Sequence, residues 1–192
     1  MPSTTISRNI FTYLADNGVD CVFLVPGGGN MFLIDAVGQE SRINFVATHH
    51  EQAAVIAAEY YSRKTGKLGV AVVTTGPGST NAVTGIAGAW FDSVSVLVLA
   101  GQVKVADYNV DGKLRQRGPQ EIDLVSIVNK ITKMAKTCFS VADVRNDLQT
   151  AVKLAKSGRS GPVVLEIPLD VQSAVIDWDD EQIMEPKNPP SI

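Results

Sequence analysis

Two glycine-rich turns and one glutamate supply the residue types that could do chemistry in this sequence. Residues 26–32 read PGGGNMF, residues 75–81 read TGPGSTN, and Glu51 stands between them in HHEQAA. Glycine-rich turns at helix starts expose backbone amides that can hold an anion, but glycine also simply permits sharp turns out of parallel strands. Spacing alone leaves both interpretations open.

Neither turn matches a standard nucleotide loop. Phe32 stands where a dinucleotide fingerprint needs a small residue, and the second turn lacks the Gly-Lys-Ser/Thr of a Walker loop. Glu51 can be a proton-transfer carboxyl beside these turns, or a solvated glutamate that complements the dipole of its helix. His49 and His50 precede it and either tune the site or are packed or solvent-facing rings.

The elements that must position these residues alternate along the chain. Apolar runs predict strands at 20–25, 43–48, 68–75, 94–101, 133–139 and 161–168. Helical spacing predicts helices that begin after Ser3, over 30–38, over 50–66 with Gly66 as its end, from 76, near 120–130, and over 142–158 with Asp143 as a candidate cap. Strands that are continuously apolar are covered on both faces, so we expect a doubly wound, three-layer α/β/α fold with a mostly parallel sheet of about six strands. Ligands of such sheets lie at the carboxyl ends of the strands, where the glycine turns fall.

Composition narrows the functional classes. The 192 residues are 45% hydrophobic and 19% charged with a net charge of −3, which gives no electrostatic reason to expect nucleic acid or a membrane surface as a partner. The longest apolar stretch, 94–100, is too short to span a bilayer, and the N-terminus has no apolar leader. Cys21 and Cys138 lie in apolar runs and are expected to be reduced thiols of a cytoplasmic protein.

Four motifs in order carry a family resemblance: GVDCVFLVPGGG at 18–29, HHEQAAVIAAEYYSRKTGKLGVAVVTTGPGSTN at 49–81, AGQV at 100–103 and SGRSGPVVLEIPLDV at 157–171. Together they resemble the N-terminal, pyrimidine-binding domain of thiamine-diphosphate-dependent enzymes, and most of all acetolactate synthase. The resemblance covers residues from about 5 to 172. It implies a pyrimidine-binding domain at 1–172, and the acidic, proline-rich segment 173–192 is expected to be a linker or tail toward a middle, FAD-holding domain and a diphosphate-binding domain.

The resemblance also implies roles for individual residues. Glu51 matches the carboxyl that bonds the far pyrimidine nitrogen and shuttles the proton that sets the cofactor's imino tautomer, and Gly28 and Gln120 match groups at the reacting centre. The other positions match cofactor contacts: Val25, Pro26, Gly27, Thr74, Pro77 and Asn81 for thiamine diphosphate, and Arg159 for FAD in those members that bind it. The implied activity is decarboxylation of a 2-oxo acid followed by carboligation.

Three features depart from the family pattern. Pro119 stands where an aromatic residue is usual, and the basic segment 104–118 either contacts an anionic substrate group or is a solvated loop. No Gly-Asp-Gly motif occurs, so the diphosphate and its Mg²⁺ are expected to be held by another domain, and this chain is expected to be inactive alone.

Three functional hypotheses follow. The chain can be the pyrimidine domain of a larger acetolactate synthase-like enzyme, a natural small subunit of a split 2-oxo-acid decarboxylase, or a non-catalytic nucleotide-binding or interaction domain of the same fold. The helices rich in alanine and glycine either pack closely on the sheet or form the interface of a homodimer.

Overall fold

A parallel sheet of six strands organises the chain in the computed structural model, which describes residues 4–109 and 112–176. Its strands are β2 (Cys21–Leu24), β3 (Asn44–Ala47), β4 (Gly69–Val73), β5 (Val96–Gln102), β6 (Met134–Thr137) and β7 (Val163–Pro168), in the spatial order β3-β2-β4-β5-β7-β6. The two-residue strands β1 (Thr4–Thr5) and β8 (Val175–Ile176) pair antiparallel beside it.

Helices cover both faces of this sheet. The helices are α1 (Ile6–Asp16), α2 (Met31–Gln39), α3 (Glu51–Thr65), α4 (Pro77–Asn81), α5 (Val83–Phe91), α6 (Leu124–Val128), α7 (Val141–Lys156) and α8 (Leu169–Ser173). One apolar cluster joins the sheet to α1, α2, α7 and α8, and a second joins its other face to α3, α5 and α6. Every residue of β4, β5 and β7 is buried, as expected for strands covered on both sides. The predicted three-layer α/β/α fold is therefore confirmed.

The strand order places a switch point beside the two glycine turns. Strand β2 pairs with β3 on one side and with β4 on the other, so the connections that leave β2 and β4 diverge. The crevice at such a point, outside the carboxyl ends of the strands, is where doubly wound sheets bind their ligands.

Several helix ends differ from the sequence expectation. The cap of α1 is Thr5, whose hydroxyl accepts from the Arg8 amide, and not Ser3, which lies outside the described residues. The cap of α7 is Ser140, and Asp143 is instead the reciprocal partner of a capping box. Gly66 ends α3 in the left-handed conformation, as predicted.

The helix predicted near 120–130 is much shorter. Helix α6 begins only after Asp123, whose carboxyl accepts from the Ser126 amide at 2.9 Å, and residues 129–131 continue as a 3₁₀ turn. Residues 118–123 form an irregular turn before it. Together with Leu124, the first residue of α6, they are called the 118–124 turn below.

The small residues of α3 and α5 pack these two helices against each other. A Cβ added to Gly85 would lie 2.7 Å from Cβ of Val55, so close packing within the chain accounts for this glycine. Ala53, Tyr60 and Phe91 lie on the outside of the same pair and are exposed.

The chain beyond the predicted boundary at 172 continues through the end of α8 into β8, and residues 177–192 of the expected linker lie outside the described residues. Within the described ranges, no helix has the length and apolarity needed to cross a membrane.

Candidate functional site

Thr74, at the end of β4, joins the two glycine turns. Its hydroxyl accepts a hydrogen bond from the Gly29 amide at 3.1 Å. A Cβ added to Gly27 would lie 2.5 Å from the Thr74 hydroxyl, and one added to Gly78 would lie 2.5 Å from the Thr74 methyl. Both turns therefore approach the same threonine so closely that neither can carry a side chain at these positions.

Glu51 is the first residue of α3 and lies against the second turn. It is only 8% exposed, so the interpretation of Glu51 as a solvated glutamate is wrong. The Asn81 side-chain amide donates to Glu51 Oε2 at 3.0 Å, and a Cβ on Gly78 would lie 3.0 Å from Oε1. One carboxylate oxygen is thus held in place, and the other faces a residue without a side chain.

The two histidines before Glu51 are exposed, and His50 is the N-cap of α3. Its Nδ1 accepts from the Gln52 amide at 3.2 Å and caps α3, so Nδ1 must carry a lone pair rather than a proton. This bond orients the helical turn that begins with Glu51. Beside it lies an open groove of about 330 Å³ lined by His50, Gln52, Ala53 and Ile56.

Asn30 shapes the first glycine turn, and sequence reasoning missed it. It is fully buried, its Oδ1 accepts from the Gly27 amide at 2.8 Å, and its Nδ2 donates to the Val25 carbonyl at 3.0 Å. Two of the residues predicted to contact the cofactor lie at this turn: Val25 is half-buried and Pro26 is exposed. An asparagine after three glycines is the signal that could have identified this loop anchor.

Gly28 differs from Gly27. A Cβ added to Gly28 would meet nothing within 4 Å, whereas Gly27 is closed off by Thr74. Packing inside the chain therefore explains the glycine at 27 but not the one at 28, which is exposed and opens outward.

The second turn relies on Gly76. Its backbone has φ 63° and ψ −121°, a conformation that other residues rarely adopt, and its carbonyl accepts from the Ser79 hydroxyl at 2.8 Å. Pro77, exposed, is the first residue of α4. The hydroxyl of Thr75 beside this turn is buried and has no hydrogen-bond partner.

Gln120 comes from a distant part of the chain and packs against the second glycine turn. Its φ of 59° is in the left-handed region, which is unusual for a residue other than glycine, and its carbonyl oxygen would overlap any Cβ on Gly76. Its side chain is exposed. In the basic segment 104–118, residues 112–117 are exposed, and residues 110–111 lie outside the described residues.

Arg159 is the one predicted site residue that the structure places elsewhere. It lies in the loop before β7, at the amino-terminal edge of the parallel sheet, whereas the glycine turns and Glu51 lie at the carboxyl edge. Its Nε donates to the Ser93 hydroxyl at 2.6 Å. It lines a separate cavity of about 360 Å³ together with Trp90, Phe91, Lys133 and Ser160.

Glu166 is a buried carboxyl at the same edge as the site that sequence reasoning also missed. It is fully buried in β7, and this burial raises its pKa from 4.5 to about 7. Within residues 4–109 and 112–176, no group of three or more His, Cys, Asp or Glu side chains is placed to hold a metal ion.

Comparison with known families gives one match that covers most of the chain. Residues 4–127 match the family described as "Thiamine pyrophosphate enzyme, N-terminal TPP binding domain". This stretch contains the first strand of the sheet, both glycine turns, Glu51 and Gln120.

Curated relatives are similar to this chain over the same region and beyond it. The chain is 41% identical over 170 residues to the acetolactate synthase large subunit of Lactococcus lactis, which covers 88% of this chain and 28% of the relative. It is 42% identical over 158 residues to the acetolactate synthase isozyme 3 large subunit of Escherichia coli, covering 82% and 26%. It is 39% identical over 168 residues to the chloroplastic acetolactate synthase 3 of Brassica napus, covering 86% and 25%. The chain thus spans about a quarter of the length of these relatives.

Proposed function

Because this chain belongs to the thiamine pyrophosphate enzymes, as their N-terminal TPP-binding domain, we propose that it binds the pyrimidine ring of thiamine diphosphate with Glu51 as the proton-exchanging carboxyl. The observation that carries this proposal is the placement of Glu51, which is buried against the second glycine turn, beside the sheet's switch point, and held by Asn81. A buried carboxyl at a ligand crevice is the group that proton exchange with a ring nitrogen requires.

The residues present fit a flat aromatic ring that bears hydrogen-bonding nitrogens. Gly27 and Gly78 let both turns pack directly on Thr74 beside Glu51, and Gly28, whose Cβ would meet nothing within 4 Å, leaves open space at the first turn. The Thr74 hydroxyl already accepts from Gly29 and still carries an O–H that can donate. Val25, Pro26 and Pro77 supply half-buried or exposed apolar surface beside this space, on which a ring can lie.

Glu51 is the residue of this chain that would do chemistry. The cofactor, when bound, supplies a carbon nucleophile for attack on carbonyl substrates. Glu51 would hold a proton on Oε1 or Oε2 and exchange it with the pyrimidine nitrogen, while Asn81 keeps the carboxyl oriented. The His50 cap would fix the helical turn from which Glu51 projects.

For the whole enzyme we propose an acetolactate synthase-like reaction, in which a 2-oxo acid loses carbon dioxide and its acyl unit joins a second carbonyl. The similarity to three acetolactate synthases supports this assignment. The exposed Gly28 and Gln120 border the crevice and would face the substrate. The diphosphate and its Mg²⁺ would be held by a separate domain, in the same polypeptide or in a partner subunit, and Arg159 would contact FAD if the enzyme carries it.

We further propose a homodimer through the outer side of α3 and α5. The exposed Ala53, Tyr60 and Phe91 give this side an apolar surface next to the groove beside Glu51. The free thiols Cys21 and Cys138 favour a reducing compartment, the cytoplasm.

Replacing Glu51 with glutamine in the complete enzyme tests the proposal. The variant keeps the shape and the Asn81 contact but cannot exchange the proton, so turnover should fall by about 100-fold or more. Glu59→Gln is a matched control, because Glu59 is a buried glutamate two turns along the same helix whose carboxylate pairs with Arg63 and lies away from the turns. Unchanged turnover in Glu51→Gln, or an equal loss in both variants, would remove the catalytic assignment.

A further inference from the structure

Three neutral donors surround the buried carboxyl of Glu166. The Thr137 hydroxyl donates to Oε2 at 2.7 Å, the Gln102 side-chain amide donates to Oε1 at 3.0 Å, and the Leu124 backbone amide lies close to the carboxyl. The side chain is fully buried. The carboxyl group of Glu166 is therefore hydrogen-bonded, but none of these partners is positively charged.

These partners form a row across the end of the sheet. Thr137 is opposite Glu166 in the register of β6 and β7, and Gln102 is the last residue of β5. The Gln102 amide also donates to the Ile122 carbonyl at 2.9 Å, and its Oε1 accepts from the Val103 amide. Glu166 therefore reaches the 118–124 turn in two ways: it lies against the Leu124 amide, and Gln102 links it by hydrogen bonds to the Ile122 carbonyl.

The 118–124 turn carries Gln120 to the candidate site. Gln120 has a left-handed backbone, and its carbonyl lies against Gly76 of the second glycine turn. A residue other than glycine keeps this conformation only where neighbouring contacts hold it. The Gln102 bond to Ile122, two residues farther along the chain, and the contact of Glu166 with the Leu124 amide, four residues farther, provide these contacts.

The charged groups near Glu166 favour its neutral form. The carboxylate of Asp123, the residue before α6, lies near it, and Tyr108 of the loop after β5 lies near Glu166, Asp123 and Glu121. The ammonium group of Lys136 in β6 does not offset these negative charges. It points to the opposite face of the sheet and pairs with Asp147 at 2.7 Å.

Two hydroxyls near Glu166 can follow a change in its protonation. The Thr137 hydroxyl donates to Glu166, and the Tyr108 hydroxyl lies near Thr137. With an ionised carboxyl, the Thr137 hydroxyl donates to Glu166. With a protonated carboxyl, Glu166 donates to Thr137 and the Thr137 hydroxyl turns toward Tyr108.

We propose that Glu166 is a positioning residue that in its protonated form holds the 118–124 turn, and with it Gln120, against the candidate site, and that its ionisation loosens the turn. Opening of the turn hydrates the carboxyl, so opening is favoured once the carboxyl is charged. That Gln120 then faces the substrate rests on the proposed function; the coupling between Glu166 and the turn does not.

Hydrogen exchange of the backbone amides of residues 118–124, read by mass spectrometry between pH 5 and 8, tests this inference on the intact chain. After correction for intrinsic exchange, protection of the turn should fall by at least tenfold from pH 5 to pH 8, and by at most about 70-fold if opening returns Glu166 to its ordinary pKa of 4.5. In Glu166→Gln, whose amide imitates the protonated acid, protection should stay high across this range. Asp170→Asn is the control, because the exposed Asp170 bonds the Val105 amide of the same loop and its loss should leave the pH dependence intact.

Two outcomes overturn the inference: protection of the native turn that does not change with pH, or the same pH dependence in Glu166→Gln. If Glu166→Gln does not fold, the ¹³C shift of the Glu166 carboxyl in the native chain decides, because a midpoint below pH 5 also overturns it. Glu51→Gln should show the native profile. If the catalytic role proposed for Glu51 is disproved, the hydrogen-exchange result therefore still stands. If hydrogen exchange contradicts the role proposed for Glu166, the proposal for Glu51 still stands.

Discussion

Replacing Glu166 with glutamine should make the whole fold more stable at pH 8 while changing it little at pH 5. Burial raises the pKa of Glu166 from 4.5 to about 7 in the folded chain, so between these values the folded chain binds more protons than the unfolded chain. The stability from this group is thus fully present below pH 4.5 and is lost as the pH rises through about 7. The difference between the two pKa values corresponds to about 3 kcal/mol of unfolding free energy.

Glutamine removes this dependence because it cannot ionise. Its amide nitrogen can donate to Thr137 and its oxygen can accept from Gln102, so the rearranged hydrogen bonds should cost about 1 kcal/mol or less. At pH 8 the variant should therefore exceed the native chain by about 2 kcal/mol in free energy of unfolding.

Urea unfolding followed by far-ultraviolet circular dichroism at several pH values between 5 and 8 measures this difference. All other titrating groups are shared by the two chains, so their contributions cancel in the difference. The difference should grow with pH up to about 7 and then level off, since Glu166 is then fully ionised. A difference that stays constant from pH 5 to 8, or a variant less stable than the native chain at pH 8, would refute the reasoning.

Further predictions concern the glycine turns and one helix cap. Gly76→Ala should lose roughly 1–3 kcal/mol of unfolding free energy because of its backbone conformation, and more because the Cβ overlaps the Gln120 carbonyl, measured by the same urea unfolding. Gly28→Ala, whose Cβ meets nothing in this chain, should stay within about 0.5 kcal/mol of the native chain in stability yet lower the turnover of the complete enzyme; equal destabilisation by both alanines would contradict the geometry. Ser140→Ala should lose about 1 kcal/mol by removing the capping box with Asp143, whereas Ser140→Asp should keep most of it; a neutral alanine would show that the cap contributes nothing.

The elements that could be predicted from the sequence are those whose signal is local. Strands such as β4 and β5 are short continuous apolar runs rich in valine, which indicate burial on both faces of a parallel sheet. Gly66 was predicted to end α3 because a left-handed end favours glycine whatever its surroundings. The place of the two glycine turns followed from the predicted strand ends, since the carboxyl ends of parallel strands share one edge, whereas Glu51 was singled out by the family resemblance.

The remaining features depend on contacts between distant residues. Nothing near Gln120 in sequence indicates a left-handed backbone pressed against Gly76, because the two are brought together only by the packing of the loop after β5. Glu166 stands inside an apolar strand, where its burial depends on Thr137 and Gln102 of neighbouring strands. The cap of α7 was misassigned because both Ser140 and Asp143 are capping residue types, and only the backbone geometry decides which of them precedes the helix.

The site is built so that its scaffold bonds leave the proposed ligand-facing groups available. The side chain of Asn30 holds the first glycine turn in shape: its oxygen accepts from the Gly27 amide and its nitrogen donates to the Val25 carbonyl. The shape of this turn therefore does not depend on a ligand. Thr74 accepts from Gly29 and keeps an O–H to donate, and Glu51 uses Oε2 toward Asn81 while Oε1 faces Gly78. Groups that are already oriented need little rearrangement when a ligand binds, so the binding free energy is not spent on ordering them. On this argument the proton exchange proposed for Glu51 needs no rearrangement of its side chain when a cofactor binds, and the 118–124 turn with Gln120 is the part of the candidate site whose proposed position depends on a titrating group.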